Sequence, residues 1–417
     1  MTSMCIKRTL FSCLLVLVSL LLGDTFSLNG HSYTRLNRLY TGETVAELNT
    51  NRASVQSSLN KALKTAVGLG IAAASTIGIT PKISYAKDKL VWSQVSLPTS
   101  ETLFDITFDP SNLNHGWIIG SKETFLETFD AGKTWNVREF PTLDEEDIKY
   151  RFQTASLLDN EGWVIGRPAI LLHTKDGGKQ FERIGLSNKL PGDPNAIFAL
   201  GSGKAEMITT QGAIYNTING GLNWKAAVKE TIDATLNRVS SSGTSGASYF
   251  SGKVANQIRD INGNYLAIGS RGNLFLTWTP GQDYWVPHNR GSSRRIQNMG
   301  FILNDATKGI WMTLNGGSLL TTGANPDLSK IEIEKLFVNR KINTGGYGII
   351  DCAWKDEQNA WAVGGSGIIF ESKDGGKSFK FNDNAKDIPG NLYRVKFFTP
   401  EMGYALGSNG VLLRFNA

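Results

Sequence analysis

The chain is poor in the residues that most often carry metal or redox chemistry. Of its three cysteines, Cys5 and Cys13 stand near the start, and Cys352 is alone after them. The body of the chain therefore has no partner for an intrachain disulfide. Its four histidines are as sparse, and the three beyond residue 86 (His115, His173 and His288) lack the spacing of metal ligands. A zinc enzyme and a dithiol oxidoreductase are disfavoured, and no cofactor is implied. A basic field is missing too. The formal charge is +6, but residues 1–86 hold 8 Lys and Arg against 3 Asp and Glu, leaving 35 against 34 in the other 331 residues. Without an overall basic surface to release counterions, nucleic acid is not an expected partner. What is present is apolar and turn-rich: 41% hydrophobic residues, 45 glycines and 10 tryptophans, the composition of many short strands joined by tight turns.

The first 86 residues read as three addresses in series. Residues 1–23 carry Lys7-Arg8 ahead of the apolar run Leu10–Leu22, about the length of a secretory signal core and short for a membrane span. Residues 24–60 are rich in Ser, Thr and Asn, with Arg35, Arg38 and Arg52 and few acids, and they resemble an organelle transit region. Residues 61–86 place Lys61 and Lys64 before a second apolar run, Ala66–Ile79, closed by Ser84-Tyr85-Ala86, an A-x-A-like cleavage site. The series resembles the presequences of plastids acquired by secondary endosymbiosis, with Phe26 after the first cut and the second run addressing the thylakoid lumen. No Arg-Arg pair precedes that run, so a twin-arginine route is not indicated.

Residues 87–417 repeat themselves at about 45 residues, the period of propeller blades. Gly116-Trp117-Ile118-Ile119-Gly120 leads to Thr128-Phe129-Asp130-Ala131-Gly132-Lys133-Thr134-Trp135. The pattern recurs from Gly162 to Phe181 and from Ala360 to Phe379, more weakly from Thr217 to Trp224, and in degenerate form around Thr277–Trp285 and Ser318–Thr322. A last copy, Gly403 to Phe415, stops before its turn. Seven units predict an all-β, seven-bladed β-propeller. The element S/T-x-D-x-G-x-x-W/F resembles an Asp-box, a structural turn whose Asp accepts backbone N–H bonds, whose Gly supplies positive φ and whose aromatic packs beneath the next strand. Blade 1 reads as Ile106–Phe108, Trp117–Ile119, Thr124–Thr128 and Trp135–Phe140 from the axis outward. The seventh unit lacks an outer strand, and Leu90–Val95 copies that pattern, so the N-terminal strand is expected to close the ring.

Strand alternation places the Asp-box turns on one face. Second-to-third turns and blade crossovers then share the other. Arg167 and Arg271 fall in second-to-third turns; Arg151, Arg238, Arg290, Arg294, Arg295, Arg340 and Arg394 fall in or beside crossovers. Residues 238–295 hold six arginines (Arg259 among them) and Lys253 against Asp260 and Asp283, a local basic patch on a nearly neutral body. Arginine suits bidentate capture of carboxylates and of peptide backbone. Internal pairing of these arginines between blades is the alternative. The Ser/Gly-rich stretch 240–248 is a binding loop or a tolerated insertion. The acidic run 144–147 reads as a solvated crossover.

Several unbroken stretches resemble one family, the photosystem II stability and assembly factors of plastids and cyanobacteria. They are Tyr150-Arg151-Phe152, Lys189-Leu190-Pro191-Gly192-Asp193, Ala234-Thr235-Leu236-Asn237-Arg238, Ser270-Arg271-Gly272-Asn273, Pro287-His288-Asn289-Arg290, Arg294-Arg295-Ile296-Gln297-Asn298-Met299-Gly300 and Gly364-Gly365-Ser366-Gly367. The resemblance covers the chain beyond about residue 88. It implies a non-enzymatic seven-bladed propeller of the thylakoid lumen that binds newly made reaction-centre protein and early assembly intermediates through an arginine-rich surface. Such a protein meets the membrane through its partners. Carried over position by position, the implied binding residues are Arg238, Arg271, Arg290, Arg294 and Arg295. The leader departs from the plant form by its extra first signal. Two other classes remain. Sialidase-like glycosidases also carry Asp-boxes, but no Arg-Ile-Pro element precedes the first box, and a fold alone argues no activity. A generic anion- or lipid-surface binder would be indifferent to peptide sequence.

Overall fold

The computed structural model describes residues 91–140, 143, 148–240, 252–382 and 387–417. The three-part leader, the acidic run and nearly all of the Ser/Gly-rich stretch lie outside the described residues. Seven sheets, antiparallel except for one added strand in the sixth, follow one another along the chain, one per repeat. In blade 1 the strands are Leu103–Asp109, Asn112–Gly120, Phe125–Thr128 and Asn136–Val137, counted from the axis outward. The outer strand is shorter than its pattern predicts. Second and third strands are buried along almost their whole length, because each sheet is covered on both faces by its neighbours. The core is accordingly a set of inter-blade clusters. One joins Trp117, Ile119 and Phe125 of blade 1 to Phe152, Leu157 and Val164 of blade 2.

The ring closes as the sequence predicts. The strand Trp92–Val95 pairs with Leu412–Phe415 and becomes the outer strand of blade 7. Trp92 packs edge-on against Trp361, Phe397 and Phe415, with centroids 6.1, 6.0 and 5.4 Å away.

The Asp-boxes are turns, as expected. In blade 1, Asp130 Oδ1 accepts from the N–H groups of Lys133 and Thr134, each at 2.9 Å, while Thr134 Oγ1 donates to Oδ2 at 2.7 Å. In blade 6 the hydroxyl of Ser378, its N–H and the hydroxyl of Ser372 hold the Asp374 carboxyl down at about 2, although burial opposes them. Gly376 sits there at φ +83°, and a Cβ would lie 2.5 Å from the Trp354 ring. These carboxylates are committed to their own turns.

Two features were not expected. The blade 3–4 crossover contains a helix, Ile232–Ser240, which buries Ile232, Thr235 and Leu236 against blades 3 and 4. Asp233 in its first turn and Arg238 in its last complement the helix dipole. Blade 6 gains a fifth, outermost strand: Lys341–Ile342 runs parallel to Ser378–Phe381 and covers that edge.

At the axis, every inner strand is bulged near its start. The unpaired residues are Phe104, Gln153, Asn195, Ala255, Gln297, Ile350 and Tyr393, one per blade. A bulge bends its strand and re-aims the side chain beside it. Polar groups along the inner strands then link neighbouring blades around the whole ring. Lys396 reaches Asp105 at 2.6 Å, Asp105 accepts from Ala155 N–H at 3.4 Å, and Ala199 N–H donates to Ser156 Oγ at 2.9 Å. Asn195 donates to Gln257, Asn256 to Asn298 at 3.0 Å, Asn298 to Asp351 at 3.1 Å, and Val395 N–H to Asp351 at 2.9 Å.

Asp351 is one of the buried groups in this ring. Burial pushes its carboxyl up to about 6, against the pull of Arg394, the Val395 and Cys352 N–H groups and Lys396. The folded protein thus holds this proton more tightly than the unfolded chain. Stability is gained as pH falls through about 6, is complete below about 4, and is lost as pH rises. Asp130 and Asp374, held near 2, act in the opposite sense but only below about 4. We expect the melting temperature to rise between neutral pH and pH 5, with a gain on the order of 1 kcal/mol in stability. Asp351→Asn should flatten that slope; an unchanged slope would assign the effect to other groups.

Candidate functional site

The face carrying second-to-third turns and crossovers gathers four of the five predicted arginines between blades 4 and 5. Arg271 occupies the turn Ser270–Asn273, and the next residue, Gly272, must be glycine: its φ is +63° and a Cβ would lie 2.3 Å from Ile296 O. Ile296 N–H donates to Gly272 O at 2.9 Å, so the Arg271 turn is fastened beside Arg294 and Arg295. Arg290 is half-buried and braces the same corner, donating Nε to Ser292 O at 2.6 Å and Nη1 to Asn273 Oδ1 at 3.0 Å. Arg294 lies against the next turn, with Nη1 at 3.5 Å from Gly316 O and 3.3 Å from Ser318 Oγ. Arg271 and Arg295 are exposed and have no carboxylate partner among the described residues.

Arg238 is engaged elsewhere. It pairs with Glu230 at 2.9 Å, and its guanidinium lies 4.3 Å from the Tyr284 ring, in the third-to-outer turn of blade 4. Arg259 realises the internal-pairing alternative: it bonds Glu206 Oε1 at 2.8 Å, and that same oxygen takes the Tyr265 hydroxyl. His288, in one of the family-like stretches, is buried between Thr277 Oγ1 and Ile331 O at 2.7 and 3.2 Å. Burial lowers its pKa to about 4, so it is a neutral packing residue.

A cleft of about 270 Å³ opens beside the arginines, lined by Gln297, Asn315, Gly316, Ile350, Gly365 and Asn391 of blades 5 to 7. Asn315 N–H donates to Arg295 O at 2.9 Å, so cleft and arginines share a rim. Gln297 and Ile350 are bulge residues, and Gly348 in the wall would have no neighbour within 4 Å of a Cβ. The exposed guanidinium of Arg294 thus borders a cleft with accessible main chain. Sequence reasoning located the arginines but missed the cleft, whose walls come from three separate repeats.

A family model described as photosystem II assembly factor YCF48 matches residues 84–416. The chain belongs to that family. It is a photosystem II assembly factor, as the resemblance implied. It is 54% identical over 327 residues to the chloroplastic photosystem II stability/assembly factor HCF136 of Cyanidioschyzon merolae, a match spanning 78% of this chain and 74% of that one. It also resembles two solved structures. YCF48 from Cyanidioschyzon merolae superposes with a TM-score of 0.72 at 49% identity, covering 78% of this chain and 98% of that one. That solved chain is therefore almost wholly propeller. YCF48 bound to a D1 peptide superposes with a TM-score of 0.67 at 36% identity, covering 80% and 99%.

Proposed function

We propose that this assembly factor acts without catalysis, binding newly made D1 reaction-centre protein and early assembly intermediates in the thylakoid lumen through its arginine-rich face. The observation that carries the reading is the pair of exposed arginines, Arg271 and Arg295, without a carboxylate partner among the described residues, in turns adjoining Arg294, whose guanidinium meets the cleft at Gly316. Arg290 and Arg294 would hold that corner in shape, and Arg238 would contribute from the edge. A carboxylate accepting paired guanidinium N–H bonds there would gain charge-assisted bonds, and an extended peptide could reach the main chain of the cleft. In support, a relative 36% identical is a complex with a D1 peptide. The box carboxylates are taken up by their own turns, which supports a binding rather than a hydrolytic role. The three-part leader supports delivery to the lumen of a secondary plastid.

Crosslinking in isolated plastids tests the reading. Newly synthesised D1 should be captured, and mass spectrometry of the same protein should find an N-terminus near Lys87. A synthetic peptide of the D1 lumenal tail should bind the propeller, less tightly as salt rises. Equal binding of a scrambled peptide would favour a generic anion-binding surface instead.

A further inference from the structure

Blade 2 carries a second pair of arginines, outside the corner described above. Arg151 opens its inner strand, Arg151–Leu158, and Arg167 ends its second strand, Glu161–Arg167; the two stand directly opposite each other across the ladder. Both are exposed, and neither has a carboxylate partner among the described residues. Like charges facing each other across a strand pair destabilise it. Here the repulsion is felt: burial and then the Arg167 charge lower the pKa of Arg151.

Both side chains are nevertheless seated. Arg167 donates Nε to Gln153 Oε1 at 2.8 Å and Nη2 to Asn195 Oδ1 at 3.0 Å. The Arg151 guanidinium lies 4.0 Å from the centre of the Phe104 ring. Phe104, Gln153 and Asn195 are the bulge residues of blades 1, 2 and 3. Three successive bulges therefore turn side chains towards one spot, and what they hold there is two cations. Each seat is neutral: an amide oxygen or an aromatic face orients an arginine without cancelling its charge. Such a site is completed by an anion. Nη1 of Arg167 and the edge donors of Arg151 remain to receive the two oxygens of one planar group, the task for which the guanidinium fork is shaped.

We propose that Arg151 and Arg167 form a carboxylate-binding site at the mouth of the propeller axis, taking an acidic side chain or the terminal carboxylate of a polypeptide. The identity of that polypeptide as D1 rests on the functional reading above; the site itself does not.

Two measurements on the unit Lys87–Ala417 decide it, a unit whose counterpart stands almost alone in the solved relative. First, glutarate is titrated in while the arginine Nε–Hε resonances are followed. The Arg151 and Arg167 signals should shift and saturate in the millimolar range, and the Arg167 shift should vanish in Arg151→Gln. Second, D1 lumenal-tail peptides are compared: one with a free terminus, one amidated there, and one with its acidic side chains converted to amides. Binding of the peptide that supplies the carboxylate should weaken about tenfold in Arg151→Gln and in Arg167→Gln, with partial retention in the Lys variants. The modified peptide that loses this sensitivity identifies the terminus or a side chain as the source. Silent resonances, with peptide binding unchanged in folded Gln variants, would overturn the site and leave the functional reading standing. If no peptide binds the unaltered protein, the D1 reading fails, and the glutarate titration still decides the pair.

Discussion

Deleting residues 90–95 is expected to destabilise the whole propeller, not only its seventh blade. The strand Trp92–Val95 is the outer strand of a sheet whose other three strands come from the end of the chain. Asn416 N–H donates to Val91 O at 2.8 Å, and the Ser93 hydroxyl donates to Asn416 Oδ1 at 3.2 Å, so the two ends of the ring are tied together. Trp92 is 4% exposed and joins a cluster with Trp361, Val363, Val395 and Phe415. Removing an indole from such a site leaves a cavity, and Trp92→Ala alone should lower stability by about 3–5 kcal/mol. The deletion adds an unpaired edge along Leu412–Phe415, which invites pairing with another chain. Calorimetry of the two variants should show a lower, still cooperative transition for Trp92→Ala and a larger loss with aggregation for the deletion. An unchanged melting temperature after deletion would refute the closure.

Replacing Arg271, Arg294 and Arg295 together with Ala should weaken binding of the D1 tail peptide by at least about tenfold, equivalent to about 1.4 kcal/mol. Charge-assisted bonds to a desolvated carboxylate contribute about 1.5–3 kcal/mol each, and interfaces concentrate their energy in few arginines and aromatics. Arg271 and Arg295 should account for most of the loss, since neither has a carboxylate to leave behind. Arg238→Ala should matter less for binding. It also breaks the Glu230 pair and uncovers Tyr284, so part of its effect would appear as lost stability. Circular dichroism should find the triple variant folded, because exposed turn residues contribute little to the core. If that folded variant binds as the unaltered protein does, the peptide surface lies elsewhere.

The architecture was legible because it is local and repeated. An Asp-box needs only eight consecutive residues, and its Asp, Gly and aromatic each answer a demand of one tight turn, as Asp130, Gly132 and Trp135 do. A repeat whose faces are apolar on both sides, such as Trp117-Ile118-Ile119, must stack against copies of itself. Seven such repeats with one outer strand short leave the N-terminal segment a single place to go. The candidate arginines were legible for the same reason: alternation assigns each turn to a face before any packing is known.

What the sequence could not show is whatever depends on two blades at once. The link from Asn298 to Asp351 crosses 53 residues, and nothing in either segment names the other. The bulge that frees Gln153 and Asn195 exists only when an inner strand is paired, so the seats of Arg167 appear only after the sheets form. Arg238 and Arg259 look like members of one basic patch along the chain, yet Glu230 and Glu206 neutralise them in space. The strand Lys341–Ile342 has no partner until blade 6 offers its outer edge. Local turn chemistry and repeat period determined the propeller and the face on which its arginines stand. Which of those arginines are left without a carboxylate was decided by tertiary packing, because a charge pairs with its nearest carboxylate in space, not along the chain.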